Sequence, residues 1–366
     1  MHLDPVLDDL RRLVEVESPS SDPAALRASA AVVAELLDRR LGGSVDVGDD
    51  GRVRWTNVAA GSAAVLVLGH HDTVWPVGTL ARLPFEVANE RVTGPGVFDM
   101  KAGIVVTVHA LALLAAEGEA PPVRMLLTTD EEVGSSASRA EIEDEARRCG
   151  RVLVPEPCGL HGAVKTARKG VALGRLVCTG RASHAGLAPE EGVNAAVGLA
   201  SVLPSVASLG DPATGTTVTP TTISGGTTVN TVPARAEATL DVRFFDAGEL
   251  DRVRAGLEAL RPVNGAALEV DLPMNRPAMP PSASAPLLPA LRSAATEAGQ
   301  EVATVAVGGA SDGNIAAAAG AAVLDGLGPD GDGAHADHEH VTLLGIERRI
   351  SLLRRLLPHV AVVEVP

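Results

Sequence analysis

Four short clusters of polar side chains in this chain are of types that hold metal ions and move protons. They are Gly69-His70-His71-Asp72, Thr129-Asp130-Glu131-Glu132, Pro155-Glu156, and Asp99 within Gly94-Pro95-Gly96-Val97-Phe98-Asp99-Met100-Lys101. A late loop, His335-Ala336-Asp337-His338-Glu339-His340, can supply a further ligand. Each cluster alone has a plainer reading. A His-x-Asp after a strand is often only a histidine satisfied by an aspartate, and Asp130-Glu131-Glu132 also suits a helix N-terminus, which welcomes negative charge. Glu156 between two prolines suits a turn. The combination, not any one cluster, points to chemistry.

Three of the clusters begin where a short apolar run ends: Ala63 to Leu68, Val123 to Thr128 and Arg151 to Val154, each long enough for a buried strand and short for a helix. Ala102 to Glu117 reads as a helix between them. Upstream, Asp22-Pro23 is a cap with a first-turn proline, and Leu26, Ala30, Val33 and Leu37 then recur at helical spacing until Gly42-Gly43. Strands alternating with helices imply a largely parallel sheet covered on both faces. Such sheets bind ligands outside the carboxyl ends of their strands, so the clusters are expected to converge.

From about Gly170 the texture changes. Ala234 to Phe244 alternates as a half-exposed antiparallel strand does, and Leu250, Val253, Leu257 and Leu260 form a helical stripe. The Pro-rich segment from Pro273 to Pro286 is a natural return, after which Val305, Val323 and Leu324 resume buried-strand character. The expected organisation is an α/β catalytic domain over residues 1–169 and 278–366 with a mixed, largely parallel sheet, interrupted by an inserted α+β domain over 170–277.

Composition narrows the function classes. A chain of 366 residues, 46% hydrophobic, is long enough for two cores. A net charge of -15, with no clustered Lys/Arg run, argues against nucleic acid, and 2% aromatic residues without any tyrosine remove the usual stacking platforms. Asp4, Asp8, Asp9, Arg11 and Arg12 break the apolar core that a signal peptide needs, and no window holds the eighteen or so uninterrupted apolar residues of a membrane span. Three cysteines, Cys149, Cys158 and Cys178, fit reduced thiols better than a disulfide framework. A cytoplasmic protein without a membrane partner is expected.

Taken in order, these elements resemble the dinuclear zinc peptidase and deacylase family that includes glutamate carboxypeptidase, acetylornithine deacetylase, aminoacylase and succinyl-diaminopimelate desuccinylase. The resemblance spans nearly the whole chain. It rests on the Gly-His-x-Asp-Thr-Val element at Gly69, the Gly-Pro-Gly-x-x-Asp-Met-Lys element at Gly94, the Asp-Glu-Glu triplet, the Glu-Pro pair, Ala-Ser-His-Ala-Gly at Ala182 to Gly186, and the late histidine. It implies a zinc-exopeptidase fold whose insertion serves as dimerisation and lid domain. Asp99 is implied to bridge two metals, with His70 and Glu156 on one and Glu132 and His335 on the other. Nitrogen and carboxylate donors without thiolate suit zinc, with cobalt or manganese as substitutes.

In the implied mechanism two cations lower the pKa of a water toward 7 and stabilise the attacking and leaving oxygens. Glu131 is the general base, and as the acid it later protonates the leaving amine. Asp72 is expected to accept the other ring N–H of His70. With no tyrosine to act as electrophile, His184 is the candidate for the tetrahedral intermediate, reaching the partner subunit's site in a homodimer; an ordinary surface histidine is the alternative.

The resemblance further assigns Asn230, Arg243 and Arg276 to the substrate's free carboxylate, for which a planar guanidinium suits bidentate binding; either arginine could instead close a surface ion pair. Gly308 to Asn314 could offer N–H groups to an anion, or be a tight turn. His71, His338 and His340 are extra imidazoles; His335 is the favoured ligand of its loop, and Glu339 is a candidate to orient it.

Arg168-Lys169-Gly170 and Arg276-Pro277 place the chain nearest the glutamate carboxypeptidase branch, acting on a dipeptide or N-acyl amino acid. An N-acyl amino acid deacylase or desuccinylase is the alternative enzyme. A catalytically silent binding protein of the same fold is the alternative of another class.

Overall fold

The computed structural model describes residues 2–59 and 63–364. An eight-stranded sheet runs in the order Ser44–Val47, Val53–Thr56, Val123–Thr128, Val65–His70, Arg151–Val154, Ala322–Asp325, Val164–Arg168, Thr304–Val307. The ladders among Val123–Thr128, Val65–His70, Arg151–Val154 and Ala322–Asp325 are parallel. Those joining Ser44–Val47, Val53–Thr56 and Val123–Thr128 are antiparallel. The sheet is mixed with a parallel centre. Val65–His70 and Ala322–Asp325 are buried along their whole length and Arg151–Val154 from Val152 onward, as strands covered on both faces must be.

Because four neighbouring strands are parallel, their carboxyl ends share one edge. That edge delivers His70 directly, Glu131 and Glu132 just after Thr128, and Glu156 just after Val154. The helix Ala102–Glu117 begins three residues beyond Asp99. It stops at Gly118, which takes φ +74°, a conformation that suits a residue without Cβ. Ile104, Val105, Val108, Leu111 and Leu114 on this helix are at most 2% exposed, each contributing about 1.5–3 kcal/mol of burial. The segment Val97–Glu117 is long and apolar enough to cross a bilayer by composition, but 83% of its most apolar window is buried inside the protein, as in a core helix.

The helix Pro23–Leu41 follows its sequence signals: the Asp22 carboxylate accepts from Ala24 N at 2.9 Å and Ala25 N at 3.1 Å, with Pro23 in the first turn and Gly42 at the end. A small four-stranded antiparallel sheet, Gly331–Asp332, His340–Thr342, Arg91–Thr93 and Glu86–Ala88, ties the late His-rich loop to the segment before Asp99.

The chain divides into two compact units: Met1–Ala167, Met279–Val307 and Ser311–Pro366 in one, and Arg168–Ala278 with Gly308–Ala310 in the other. The second thus includes Arg168, Lys169, Ala278 and Gly308–Ala310 in addition to residues 170–277. Two arginines account for the extra loop: Arg168 Nη1 donates to Gly309 O and Arg243 Nη1 to Gly308 O, both at 3.1 Å. Within this unit Gly170–Thr179 is the centre of an antiparallel sheet, flanked by Arg235–Phe244 on one side and by Ala267–Asp271 and Met274–Arg276 on the other. Strict in–out alternation along Arg235–Phe244 buries Ala236, Ala238, Leu240, Val242 and Phe244 with the helices Ala195–Ala207 and Ala247–Glu258.

Candidate metal centre

His70, the last residue of its strand, is 1% exposed. Its Nδ1 faces the backbone carbonyl of Asp72 at 3.0 Å. Donation there leaves Nε2 as the candidate ligand atom. Nε2 lies 3.3 Å from Asp99 Oδ1 and 3.3 Å from Glu156 Oε1. On the other side, His335 Nε2 lies 3.1 Å from Glu132 Oε2 and 3.5 Å from Asp99 Oδ2. The two oxygens of Asp99 therefore face two different donor sets, His70 with Glu156 and His335 with Glu132. Glu131 joins the first set, its carboxylate lying with donor atoms of His70 and Glu156 inside a group spanning at most 4.8 Å.

The donor chemistry fits cations. His70 Nε2, Asp99 Oδ1 and Glu132 Oε1 are buried without a hydrogen-bond partner, and such atoms are costly unless something else satisfies them. The electrostatics agree. Burial resists charge on His70, but the carboxylates of Asp72, Asp99 and Glu156 around its ring outweigh it and hold its pKa well above the ordinary value. Asp99 and Glu132 raise His335 to about 10. Burial, and then the charge of Asp99, push Glu132 upward, whereas the two histidines hold Asp99 below the usual carboxylate range against its burial. Crowded carboxylates that favour positive charge beside them are what a divalent cation needs.

The expected role of Asp72 is corrected in part. The ring N–H of His70 goes to the Asp72 carbonyl, while Asp72 Oδ1 stands 3.4 Å from Nδ1. The Asp72 carboxylate instead accepts from Ser20 Oγ at 2.7 Å and from the backbone N–H groups of Glu131 at 3.3 Å and Glu132 at 3.2 Å. It caps the short 3-10 turn Glu131–Val133 and so ties the His70 strand end to Glu131 and Glu132. Glu339 is also corrected. Its carboxylate does not reach the His335 ring; it accepts N–H groups from Gly96, Phe98 and Asp99.

His71 and His340 have partners of their own. His71 is buried between Ser29 Oγ at 3.0 Å and Gly51 O at 2.9 Å, and burial brings its pKa down to about 4. His340 Nδ1 meets the His338 carbonyl at 2.8 Å.

In the second unit, His184 and Asn230 come together: Ala185 N donates to Asn230 O at 2.9 Å, and His184 is bridged to Thr231. His184 is exposed, and its Nδ1 accepts from Gly186 N at 3.1 Å and Leu187 N at 3.2 Å. Those contacts place the proton of the neutral ring on Nε2. Arg243 and Arg276 both pair with Val171 from opposite sides, about 10 Å apart across two strand spacings. Arg276 is buried. Arg243 forks onto Asp241 at 2.9 and 3.0 Å, the ion-pair alternative. The carbonyls of Gly308 and Gly309 accept from Arg243 and Arg168.

Residues 66–359 match the family model described as Peptidase family M20/M25/M40. The chain belongs to that family. It is 31% identical to carboxypeptidase G2 of Pseudomonas sp. over 96% of this chain and 88% of that one. Succinyl-diaminopimelate desuccinylase of Methylorubrum extorquens is 29% identical over 83% of this chain and 84% of that one. The fold is shared with a metallo-carboxypeptidase of the M20 family from Sulfolobus solfataricus, at a TM-score of 0.80 and 16% identity over 98% of this chain and 100% of that one. Aminopeptidase PepT from Bacillus cereus aligns with a TM-score of 0.80 at 20% identity, covering 99% of both chains. As a member of M20/M25/M40 the protein is a hydrolase, and His70, Asp99, Glu131, Glu132, Glu156 and His335 gather in it as a candidate metal-binding group.

Proposed function

We propose that this protein is a dinuclear zinc hydrolase that cleaves an amide or peptide bond next to a free carboxylate, as a glutamate-type carboxypeptidase acting on a dipeptide or N-acyl amino acid. The observation that carries the reading is the division of Asp99, with Oδ1 toward His70 and Oδ2 toward His335. His70 and Glu156 would hold one cation, His335 and Glu132 the other, and Asp99 both. When bound, two such cations lower the pKa of a water toward 7 and stabilise charge on the attacking and leaving oxygens.

The protein's own groups do the rest. Glu131, at the end of the sheet beside His70 and Glu156, takes the proton from water as its oxygen bonds to the amide carbon. When the C–N bond breaks, the protonated Glu131 returns that proton to the leaving nitrogen, giving a carboxylic acid and an amine. His184, with Nδ1 occupied by backbone N–H groups, presents an Nε2–H donor suited to an oxyanion. We assign it to the partner subunit's site in a homodimer, with residues 170–277 as the dimerisation and lid domain. Arg276 and Asn230 are the favoured contacts for the substrate carboxylate; Arg243 would have to exchange Asp241 for substrate. Three buried thiols favour a reducing, cytoplasmic setting.

The similarity to desuccinylases keeps a deacylase as the second reading. Hydrolysis of C-terminal glutamate dipeptides against N-acetyl and N-succinyl amino acids separates the two. Turnover of the dipeptides supports the carboxypeptidase, and turnover of the acyl substrates alone overturns it.

A further inference from the structure

Glu339 is fully buried, and its carboxylate accepts four hydrogen bonds: from Trp75 Nε1 at 2.7 Å, Gly96 N at 2.9 Å, Phe98 N at 2.9 Å and Asp99 N at 3.1 Å. An ionised carboxylate accepts about four such bonds and donates none, so the match is complete. The donors come from two remote segments. Trp75 lies five residues past His70, and Gly96 to Asp99 lead into the shared ligand. Glu339 itself lies four residues past His335. One side chain thus joins the three segments that supply His70, Asp99 and His335.

The loop is shaped for this anion. Gly96 takes φ +71°, and the N–H groups of residues 96, 98 and 99 turn inward together, an arrangement that concentrates positive potential on one point. Each bond is charge-assisted, and three of the four are fully buried, hence stronger than neutral ones. Fixing the Asp99 peptide nitrogen fixes where its side chain begins, and so which oxygen meets which histidine.

We propose that Glu339 is a positioning residue of the metal centre, setting the placement of Asp99 between His70 and His335 and thereby the affinity for cations. The inference rests on the dinuclear reading above. Glu339→Gln keeps the size but turns an amide NH2 toward N–H donors, which it cannot satisfy. Groups outside the ligand shell that orient ligands are typically worth about 10- to 100-fold in metal affinity.

The test is a titration of metal-free protein with cobalt(II), followed by calorimetry and by the visible absorption of the bound ion, beside the melting temperature of each metal-free variant. Glu339→Gln should bind cobalt about 10- to 100-fold more weakly, with a changed absorption spectrum. Trp75→Phe removes one donor and leaves the carboxylate, so it serves if Glu339→Gln fails to fold; about 2- to 10-fold weaker binding is expected. Unchanged affinity and spectrum in the folded variants, against a wild type that binds cobalt, would overturn the positioning role and leave the centre standing. A wild type that binds no cobalt would overturn both.

Discussion

The proposed function gives the neighbours Glu131 and Glu132 different tasks. Glu132 faces His335 at 3.1 Å, while the Glu131 carboxylate lies beside His70 and Glu156. Glu131→Ala should therefore keep its metal by elemental analysis while kcat falls about 10²- to 10⁴-fold; activity near wild type would remove Glu131 from the chemistry. Asp72→Ala acts differently, because it releases the backbone of both glutamates and Ser20. Its zinc affinity, measured by calorimetry, should drop about 10- to 100-fold. The clusters holding His70, Asp99, Glu132, Glu156 and His335 were legible because their residue types suit cations, while the assignment of each to a metal comes from the family resemblance and stands as a proposal. The carboxylates of Asp72 and Glu339 were not. His-x-Asp spacing says that two residues are near, not whether a ring N–H chooses the carboxylate or the carbonyl. Glu339 acquires a role only through its burial, which a loop rich in His and Asp conceals.

At the scale of elements, the runs Val123 to Thr128 and Arg151 to Val154 and the helix Ala102 to Glu117 stand where their apolar pattern puts them. The sheet Gly331–Asp332, His340–Thr342, Arg91–Thr93 and Glu86–Ala88 left no sequence signal, because strands of two or three residues are too short to show a period of two. The start of the helix Ala102–Glu117 packs its backbone at Gly103 against the carbonyl of Pro155, and a Cβ there would collide with Pro155 O. Gly103→Ala should cost about 1–3 kcal/mol in denaturant unfolding and weaken metal binding, since Glu156 follows directly. Asp9 ties together Asp4–Val14, Pro23–Leu41 and Ala102–Glu117 through Arg39, Arg40 and His109. Burial would raise its pKa, but His109 and the two arginines win and lower it from 3.8 to about 2. Its contribution is therefore present above pH ~4 and lost as pH falls toward ~2. With the arginines partly exposed it amounts to about 1–2 kcal/mol, and Asp9→Asn should flatten that stretch of the stability–pH curve. An unchanged curve would show that Asp9 titrates alike in folded and unfolded chains.

At the scale of the molecule, the change of texture from about Gly170 and the alternation from Ala234 to Phe244 suggest an inserted domain over 170–277, but nothing in the sequence signals that Gly308–Ala310 groups with Arg168–Ala278, because arginine-to-carbonyl bonds leave no periodic trace. A homodimer with His184 acting across subunits makes a sharp prediction. Glu131→Ala and His184→Ala proteins, each nearly inactive, should recover roughly a quarter of wild-type activity when unfolded together and refolded as mixed dimers, since half of the dimers are mixed and each holds one intact site. No recovery would place His184 in its own subunit's site or outside catalysis. The dinuclear hydrolase reading itself is tested most directly by metal content together with cleavage of C-terminal glutamate, N-acetyl and N-succinyl substrates before and after chelation. About two zinc ions per chain and cleavage that the chelator abolishes and zinc restores are expected. Protein that binds no metal after reconstitution, or cleavage that the chelator leaves untouched, would contradict it.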